Sequence, residues 1–157
     1  MKILAINKKA SFDYQILETY EAGIVLFGYE VKSVRLGQTN LKASYISFKT
    51  NKKGKSEAYL INSYIPLYKP AGIKDDYNTE RERKVLLKNK EIDYLTIKKQ
   101  EKGLTVIPIK LYTKGSFIKL ELAVVKGKKK FDKRDDLKKK DVDRHLRTLT
   151  KQKIRTN

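Results

Sequence analysis

Leu104-Thr105-Val106-Ile107-Pro108-Ile109-Lys110-Leu111-Tyr112, then Thr113-Lys114-Gly115-Ser116, then Phe117-Ile118-Lys119-Leu120-Glu121-Leu122-Ala123-Val124-Val125 is the run whose reading decides the fold. Two segments rich in β-branched and other apolar residues flank a short polar turn with a glycine, which predicts a β-hairpin. In the second segment Ile118, Leu120, Leu122 and Val124 share one face while Lys119 and Glu121 point away, the period-two pattern of a strand buried on one side. Glu101-Lys102-Gly103 supplies the turn that introduces the hairpin.

Upstream, more strands follow from the same criteria: Asp13 to Glu18, Ala22 to Phe27, Leu41 to Phe48, and Glu57 to Ile65 after the loop Thr50-Asn51-Lys52-Lys53-Gly54-Lys55. Helical spacing interrupts them twice. Tyr29 to Arg35 places Val31 and Val34 on one side and ends before Gly37, which predicts a short helix closed by that glycine. Between Glu80 and Lys99 the apolar residues Val85, Leu86, Leu87, Ile92 and Leu95 predict two consecutive helices joined near Lys88-Asn89. Pro66 to Asn78, with Pro70 and Gly72, reads as a loop. The expected fold is mainly β, an antiparallel barrel of the oligonucleotide-binding (OB) type with short peripheral helices and a basic C-terminal tail.

The boundary of the body falls after Val125. Residues 126–157 hold 14 basic and 5 acidic residues, whereas residues 1–125 hold 23 and 13. The expected organisation is therefore a barrel over 1–125 and a tail over 126–157 that is disordered alone. Over the whole chain of 157 residues, 37 Lys plus Arg face 18 Asp plus Glu, a formal net charge of +19. Such an excess favours a polyanionic partner, because each cation set beside a phosphate releases a condensed counterion. Thirty of the 37 are Lys, so part of the excess reflects a Lys-rich composition. With no Cys, disulfides, thiolate metal sites and thiol nucleophiles are excluded, and one His cannot form an imidazole cluster. No apolar run approaches the length of a membrane span, and the first nine residues regain charge too quickly for a secretory signal. The expected location is cytoplasmic, with no membrane and no small-molecule substrate.

Lys126-Gly127-Lys128-Lys129-Lys130-Phe131-Asp132-Lys133-Arg134 is the densest basic run, with an aromatic inside it. Its cations suit phosphates and Phe131 suits base stacking; a solvated basic tail explains the same residues without a ligand. It lacks the flanking residues of a phosphate-binding P-loop. Beyond it Leu137, Val142, Leu146 and Leu149 fall close to helical spacing, yet Lys138-Lys139-Lys140 repel one another and the apolar stripe is thin. The segment is expected to become helical only on an anionic surface, the alternative being a stable helix packed on the body. His145 reads as solvent-exposed. Glu21, Glu30 and Glu121 carry no spacing that marks a catalytic pair, and turn, helix or salt-bridge roles suit them better.

The order of short motifs carries a resemblance that composition does not. Asn7-Lys8-Lys9-Ala10, Tyr20-Glu21-Ala22-Gly23-Ile24-Val25-Leu26, Gly28-Tyr29-Glu30-Val31-Lys32-Ser33-Val34-Arg35, Asn40-Leu41-Lys42-Ala43-Ser44-Tyr45, Arg83-Lys84-Val85-Leu86-Leu87, Gln100 to Pro108 and Lys126 through Arg134 occur in the order and spacing of the SmpB family, the SsrA-binding proteins of bacterial trans-translation. The resemblance spans residues 6 to 140. It implies an OB-type barrel that binds the tRNA-like domain of transfer-messenger RNA (tmRNA) and accompanies it to stalled ribosomes. It also implies a tail, helical there, in the empty mRNA channel near the small-subunit decoding centre.

Carried over by position, the resemblance assigns RNA binding to Glu21, Leu86 and Lys88 and to the basic helix residues Lys32 and Arg35. It assigns ribosomal acceptance to the tail residues Lys126, Gly127, Lys128, Lys129, Phe131, Asp132, Lys133 and Arg134. Lys88 stands where Asn or His is common and exchanges a directional hydrogen bond for a phosphate contact; Phe131 stands where His or Tyr is frequent and keeps only the stacking plane. No cofactor, metal ligand set or catalytic residue is expected. The competing classes are a generic OB-type RNA-binding or ribosomal protein and an RNA-processing enzyme, the last lacking any nucleophile or nucleotide loop in the sequence.

Overall fold

The computed structural model describes residues 1–72 and 76–129 together with Asp132, Val142 and Arg144. The elements, in chain order, are β1 (Ile3–Ile6), α1 (Ala10–Asp13), β2 (Tyr14–Ile24), α2 (Gly28–Arg35), β3 (Tyr45–Thr50), β4 (Ser56–Ile61), β5 (Arg83–Leu86), α3 (Asn89–Gln100), β6 (Leu104–Lys114) and β7 (Phe117–Gly127). They form one seven-stranded sheet in the order β1-β6-β7-β2-β5-β4-β3, with antiparallel pairing throughout. The expected mainly β architecture with short peripheral helices is present. The sheet curls as an OB-type barrel does, but among the described residues its ladder stays open, and β3 comes close to β6 without pairing to it.

The deciding hairpin forms β6 and β7, with Lys114 paired to Phe117 at its tip and Leu104 to Lys126 at its base. Ile118, Leu120, Leu122 and Val124 enter the core with Leu60, Val85 and Val106. Burying each large aliphatic side chain there contributes about 1.5–3 kcal/mol. On the opposite face of β7 Phe117 is exposed, Lys119 and Glu121 are half-buried, and Ala123 and Val125 are buried. Ala123 and Val125 pack with Ile107 under Ala10 of α1, which explains why Leu122-Ala123-Val124-Val125 is apolar on both sides. Helix α3 packs on β6 and β4 and buries Ile92 and Leu95. Its Lys99 Nζ donates to the Ile46 carbonyl oxygen at 3.1 Å, satisfying a backbone acceptor on the edge strand β3.

Several sequence-derived elements need correction. Asp13 to Glu18 and Ala22 to Phe27 are not two strands; Tyr14–Ile24 is continuous, with a bulge where the register shifts between Ile16 and Glu18. Strand β3 starts at Tyr45, not at Leu41, because Ala43 takes a φ of 63° and Asn40 Oδ1 accepts from the Lys42 N–H, forming a turn. Strand β4 ends at Ile61, because Asn62 has a φ of 55°. The first of the two helices expected between Glu80 and Lys99 is a strand. Arg83 and Val85 point inward and Lys84 and Leu86 outward, a period-two pattern hidden from sequence because one of the inward residues is charged. The second helix is real and begins after Lys88, whose backbone N–H donates to Glu91 Oε2 at 2.9 Å. The helix expected at Tyr29–Arg35 is α2, closed by Gly37, whose φ of 75° suits a glycine. The tail helix expected beyond Asp135 lies outside the described residues, apart from Val142 and Arg144.

Candidate nucleic-acid interface

Alternation along four adjacent strands sends one set of side chains to the outer surface of the sheet. They are Lys84 and Leu86 from β5, Glu21 and Gly23 from β2, Phe117, Lys119 and Glu121 from β7, and Lys110, Tyr112 and Lys114 from β6. At its centre lies the Glu-Ala-Gly motif of β2, each residue with a separate duty. Ala22 is buried in the core. Gly23 pairs with Leu86 across the β2–β5 ladder, and a Cβ at Gly23 would lie 3.2 Å from the Leu86 Cβ. The absent side chain lets Leu86 lie over β2, where it remains 52% exposed. Leu86, seated on a glycine, is thus an apolar knob on the open face of the sheet.

Glu21 faces Glu121 directly across the β2–β7 ladder, an unfavourable like-charge pair. Strand β6 relieves it. Lys114 Nζ donates to both Glu21 carboxylate oxygens at 2.9 and 3.0 Å, the Tyr112 hydroxyl donates to Glu21 Oε2, and Lys110 pairs with Glu121 at 2.9 Å. The Tyr112 hydroxyl and then Lys114 hold the Glu21 carboxyl below the usual carboxylate range. Burial, reinforced by the Glu21 carboxylate, pushes the Tyr112 hydroxyl up to about 12. Both groups therefore keep fixed protonation states at neutral pH, a carboxylate acceptor beside a phenol donor.

From Lys114 the surface continues around the hairpin tip to α2. Arg35 donates from Nη2 to the Ser116 carbonyl oxygen at 3.1 Å, so a chain of polar contacts runs from Glu21 through Lys114 and the turn to Arg35. Lys32, one helical turn earlier, lies over the Tyr68 ring at 5.3 Å. Lys88 is exposed at the start of α3, two residues beyond Leu86. The structure thus brings together Glu21, Leu86 and Arg35, places Lys88 beside Leu86 along the chain, and sets Lys32 at the margin beside Tyr68.

What orients α2 is a buried ion network that charge counting did not reveal. Glu30 and Arg83 are fully buried. Glu30 Oε1 accepts from Arg83 Nε at 3.0 Å, Arg81 Nε at 2.9 Å and the Tyr77 hydroxyl at 3.0 Å; its Oε2 accepts from Arg81 Nη2 and from the Phe27 backbone N–H at 2.7 Å. Arg83 also donates to the Ser63 and Thr79 carbonyl oxygens at 2.7 and 2.8 Å. Burial pushes the Glu30 carboxyl up, but Arg81, the Phe27 amide and the Arg83 charge outweigh it, and the group is held below its ordinary value. Glu30 is thereby the helix-start acid and the tie between α2 and β5, the role expected of it rather than an acid–base one. The surviving hint in the sequence was Glu30 three residues after Phe27, at the position where an acid satisfies the first amide of a helix.

The residues expected in the tail divide. Lys126 and Gly127 are the last residues of β7, paired with Gln15 and Tyr14. Lys128 donates from its backbone N–H to the Asp13 carbonyl oxygen at 3.0 Å and from Nζ to the Ser11 carbonyl oxygen at 2.8 Å, fastening the strand end to α1. The Asp132 carboxylate accepts from the Lys129 N–H at 3.2 Å. Phe131, Lys133 and Arg134 lie outside the described residues. The described members sit at the opposite end of β7 from the hairpin tip, about 30 Å away at roughly 3.3 Å per strand residue. Among the described residues there is no cluster of metal-ligating side chains, and no helix is long and apolar enough to cross a membrane.

Comparison with known proteins places this arrangement in context. The family model described as SmpB protein matches residues 4–152. An SsrA-binding protein from a Sulfurihydrogenibium species is 48% identical over 154 residues, covering 98% of this chain and 97% of the relative. One from Persephonella marina is 46% identical over 155 residues, covering 99% and 98%, and one from Thermosipho melanesiensis is 47% identical over 152 residues, covering 96% and 99%. A solved chain described as "tmRNA-SmpB: a journey to the center of the bacterial ribosome" superposes with a TM-score of 0.65 at 39% identity, over 83% of this chain and 87% of that one.

Proposed function

Since the chain belongs to the SmpB family, an RNA-binding family, we propose that it binds the tRNA-like domain of tmRNA (SsrA) and delivers it to stalled ribosomes for trans-translation. The observation that carries this reading is the Glu21–Gly23–Leu86 constellation, an anchored carboxylate and an exposed apolar knob on a basic sheet, in a chain that matches the family almost end to end. A folded RNA is recognised by shape, phosphate contacts, hydroxyl bonding and stacking more than by groove reading. Leu86 packs on a base or ribose edge, Glu21 accepts from a base amino or ribose hydroxyl group, and Arg35, Lys32 and Lys88 neutralise phosphates. The protein acts as an adaptor in the cytoplasm and performs no bond-breaking step.

The labour is divided between two parts. The 1–125 body holds the RNA, and the 126–157 tail enters the empty mRNA channel near the decoding centre, becoming helical there as ribosomal RNA neutralises its repelling lysines. Lys126, Gly127, Lys128 and Lys129 fix where the tail leaves the body. Phe131, Asp132, Lys133 and Arg134 serve acceptance by the ribosome. Sequencing the RNA that co-purifies with the tagged chain tests the reading: tmRNA should dominate over ordinary tRNA, whereas indiscriminate RNA would favour a generic binder. Deleting 131–157 should leave tmRNA retention near normal, and replacing Asp132, Lys133 and Arg134 by Ala should stop peptide tagging while tmRNA stays bound. Loss of tmRNA by the deletion variant, with the barrel still folded by circular dichroism, would refute the division.

A further inference from the structure

Phe117 is the most exposed aromatic residue of the described sheet face, at 72%, and it opens β7 at the apex of the β6–β7 hairpin. We propose that Phe117 is a stacking platform for an unpaired nucleobase of the bound RNA, extending the interface from Glu21 and Leu86 to the hairpin tip; this rests on the functional reading above. A single exposed apolar side chain is ordinary on a protein surface. Three features set this one apart.

The first is its placement. Phe117 alternates with buried Ile118 and so shares the outer face with Lys119 and Glu121, and Lys119 pairs with Gly23, the residue under Leu86. The second is its bracing. Arg35 holds the Ser116 carbonyl oxygen, Lys114 is held by Glu21, and Gly115 takes the positive φ of 59° that the turn needs. The ring is thus presented on a turn tied to both α2 and β2, and its ordering entropy is partly spent before binding. The third is charge. Lys114 is the cross-strand neighbour of Phe117, Lys119 lies two residues along the same face, and Arg35 binds the preceding carbonyl, while the carboxylates on this face, Glu21 and Glu121, are already paired with lysines. An apolar protein partner would cover Lys119 and Arg35 with no carboxylate opposite them; a nucleotide offers them phosphates and offers the ring a base. Among the described residues no other aromatic ring contacts Phe117.

The test measures binding of the full chain to a transcript of the tRNA-like domain of tmRNA across a salt series, for wild type, Phe117→Ala, Phe117→Leu, Phe117→Tyr and Lys119→Ala. Phe117→Ala should weaken binding about 5- to 150-fold, the span of a lost base–aromatic stack. Its salt slope should stay that of wild type because no charge is removed, whereas Lys119→Ala should reduce the slope by roughly 0.7–0.9. Phe117→Tyr should restore binding to within about twofold, and Phe117→Leu should not, because it keeps apolar area and loses the π-face. Binding by Phe117→Ala within about threefold of wild type, full rescue by Leu, or a defect confined to ribosome binding each overturns the proposal. A wild-type chain that fails to hold the transcript sinks the functional reading itself, whereas wild-type binding with an unaffected Phe117→Ala sinks this proposal alone. The site is at the solvent-facing apex, so unchanged thermal unfolding of each variant verifies that binding, not folding, is being read.

Discussion

Glu30 and Glu21 are the same side chain in two opposite settings. Each carboxylate is held below its ordinary value, Glu21 by the Tyr112 hydroxyl and Lys114, and Glu30, against its burial, by Arg81, the Phe27 amide and the Arg83 charge. Glu30 is sealed inside, facing Arg81, Arg83 and Tyr77, while Glu21 lies on the open sheet face with Lys114 and Tyr112. The difference lies in what water can replace. When a surface partner is lost, solvent fills the vacancy, so little stability depends on it and the group is free to serve a ligand. When a buried partner is lost, an uncompensated charge remains in a medium that cannot solvate it. The inner network ties α2 to β5, and the outer one lies on the face proposed to bind RNA.

The sharpest way to break that contrast is Glu30→Ala. It strands Arg83, which is fully buried, and cuts the tie between α2 and β5, so it should destabilise the protein by about 3–5 kcal/mol in urea unfolding. A loss below about 1 kcal/mol would mean that water reaches the network, and the distinction between the two carboxylates would collapse. Acid should expose the same contrast. Because the folded-state pKa of Glu30 lies below its ordinary value near 4.5, the unfolded chain binds its proton more readily. Its contribution is present in full above that value and is lost as pH falls through the folded one. Stability should therefore fall below about pH 4.5, and the slope should flatten in Glu30→Gln. Glu57, drawn down to about 2 by Lys84, Tyr59 and Asn51, titrates with the same sign on the outer face and leaves a residual slope. An unchanged acid limb in Glu30→Gln would assign acid sensitivity to the surface instead.

A smaller effect on stability but a clear one on binding should follow Gly23→Ala. The new Cβ meets the Leu86 Cβ at 3.2 Å, so Leu86 must be lifted by a few tenths of an ångström. Overpacking of this kind costs about 1 kcal/mol or more in a closed core, and less here because Leu86 is half in solvent. If Leu86 belongs to the RNA surface as proposed, tmRNA affinity should fall by more than the unfolding midpoint suggests. Equal retention of tmRNA by Gly23→Ala and wild type would show that Leu86 is not placed by Gly23.

The hairpin over 104–125 was legible because its turn, its alternation and its buried face all agree, and α2 because Gly37 marks its end. The inner network was not. Arg83 reads as a surface cation, and only a strand that turns it inward toward Glu30, 53 residues earlier, makes sense of it. That same inward arginine disguised β5 as a helix, since Val85-Leu86-Leu87 then looked like an apolar run and not like one buried residue beside an exposed one. The knob on β2 was half visible. The Glu-Ala-Gly motif and Leu86 were both marked by the family resemblance, but their contact depends on a ladder between strands some sixty residues apart, which no local pattern encodes. Strand β1 went unseen because it is four residues long, and its place is set by β6, to which it pairs.

The smallest expected effect probes the outer carboxylate by itself. Burial alone raises the Tyr112 hydroxyl, and the Glu21 carboxylate lifts it further, to about 12. Removing the negative charge in Glu21→Gln should leave the urea midpoint almost unchanged, because Lys114 is exposed and water takes over its solvation. The Tyr112 ionisation should nevertheless move down part of the way toward 10, the remainder being held by burial. Ultraviolet titration can read this among ten tyrosines by difference: the shift between Glu21→Gln and wild type should vanish in a Tyr112→Phe background. A shift that survives in that background belongs to another tyrosine. A large drop in the urea midpoint would place Glu21 with Glu30, as part of what holds the barrel together and not as part of what it presents to RNA.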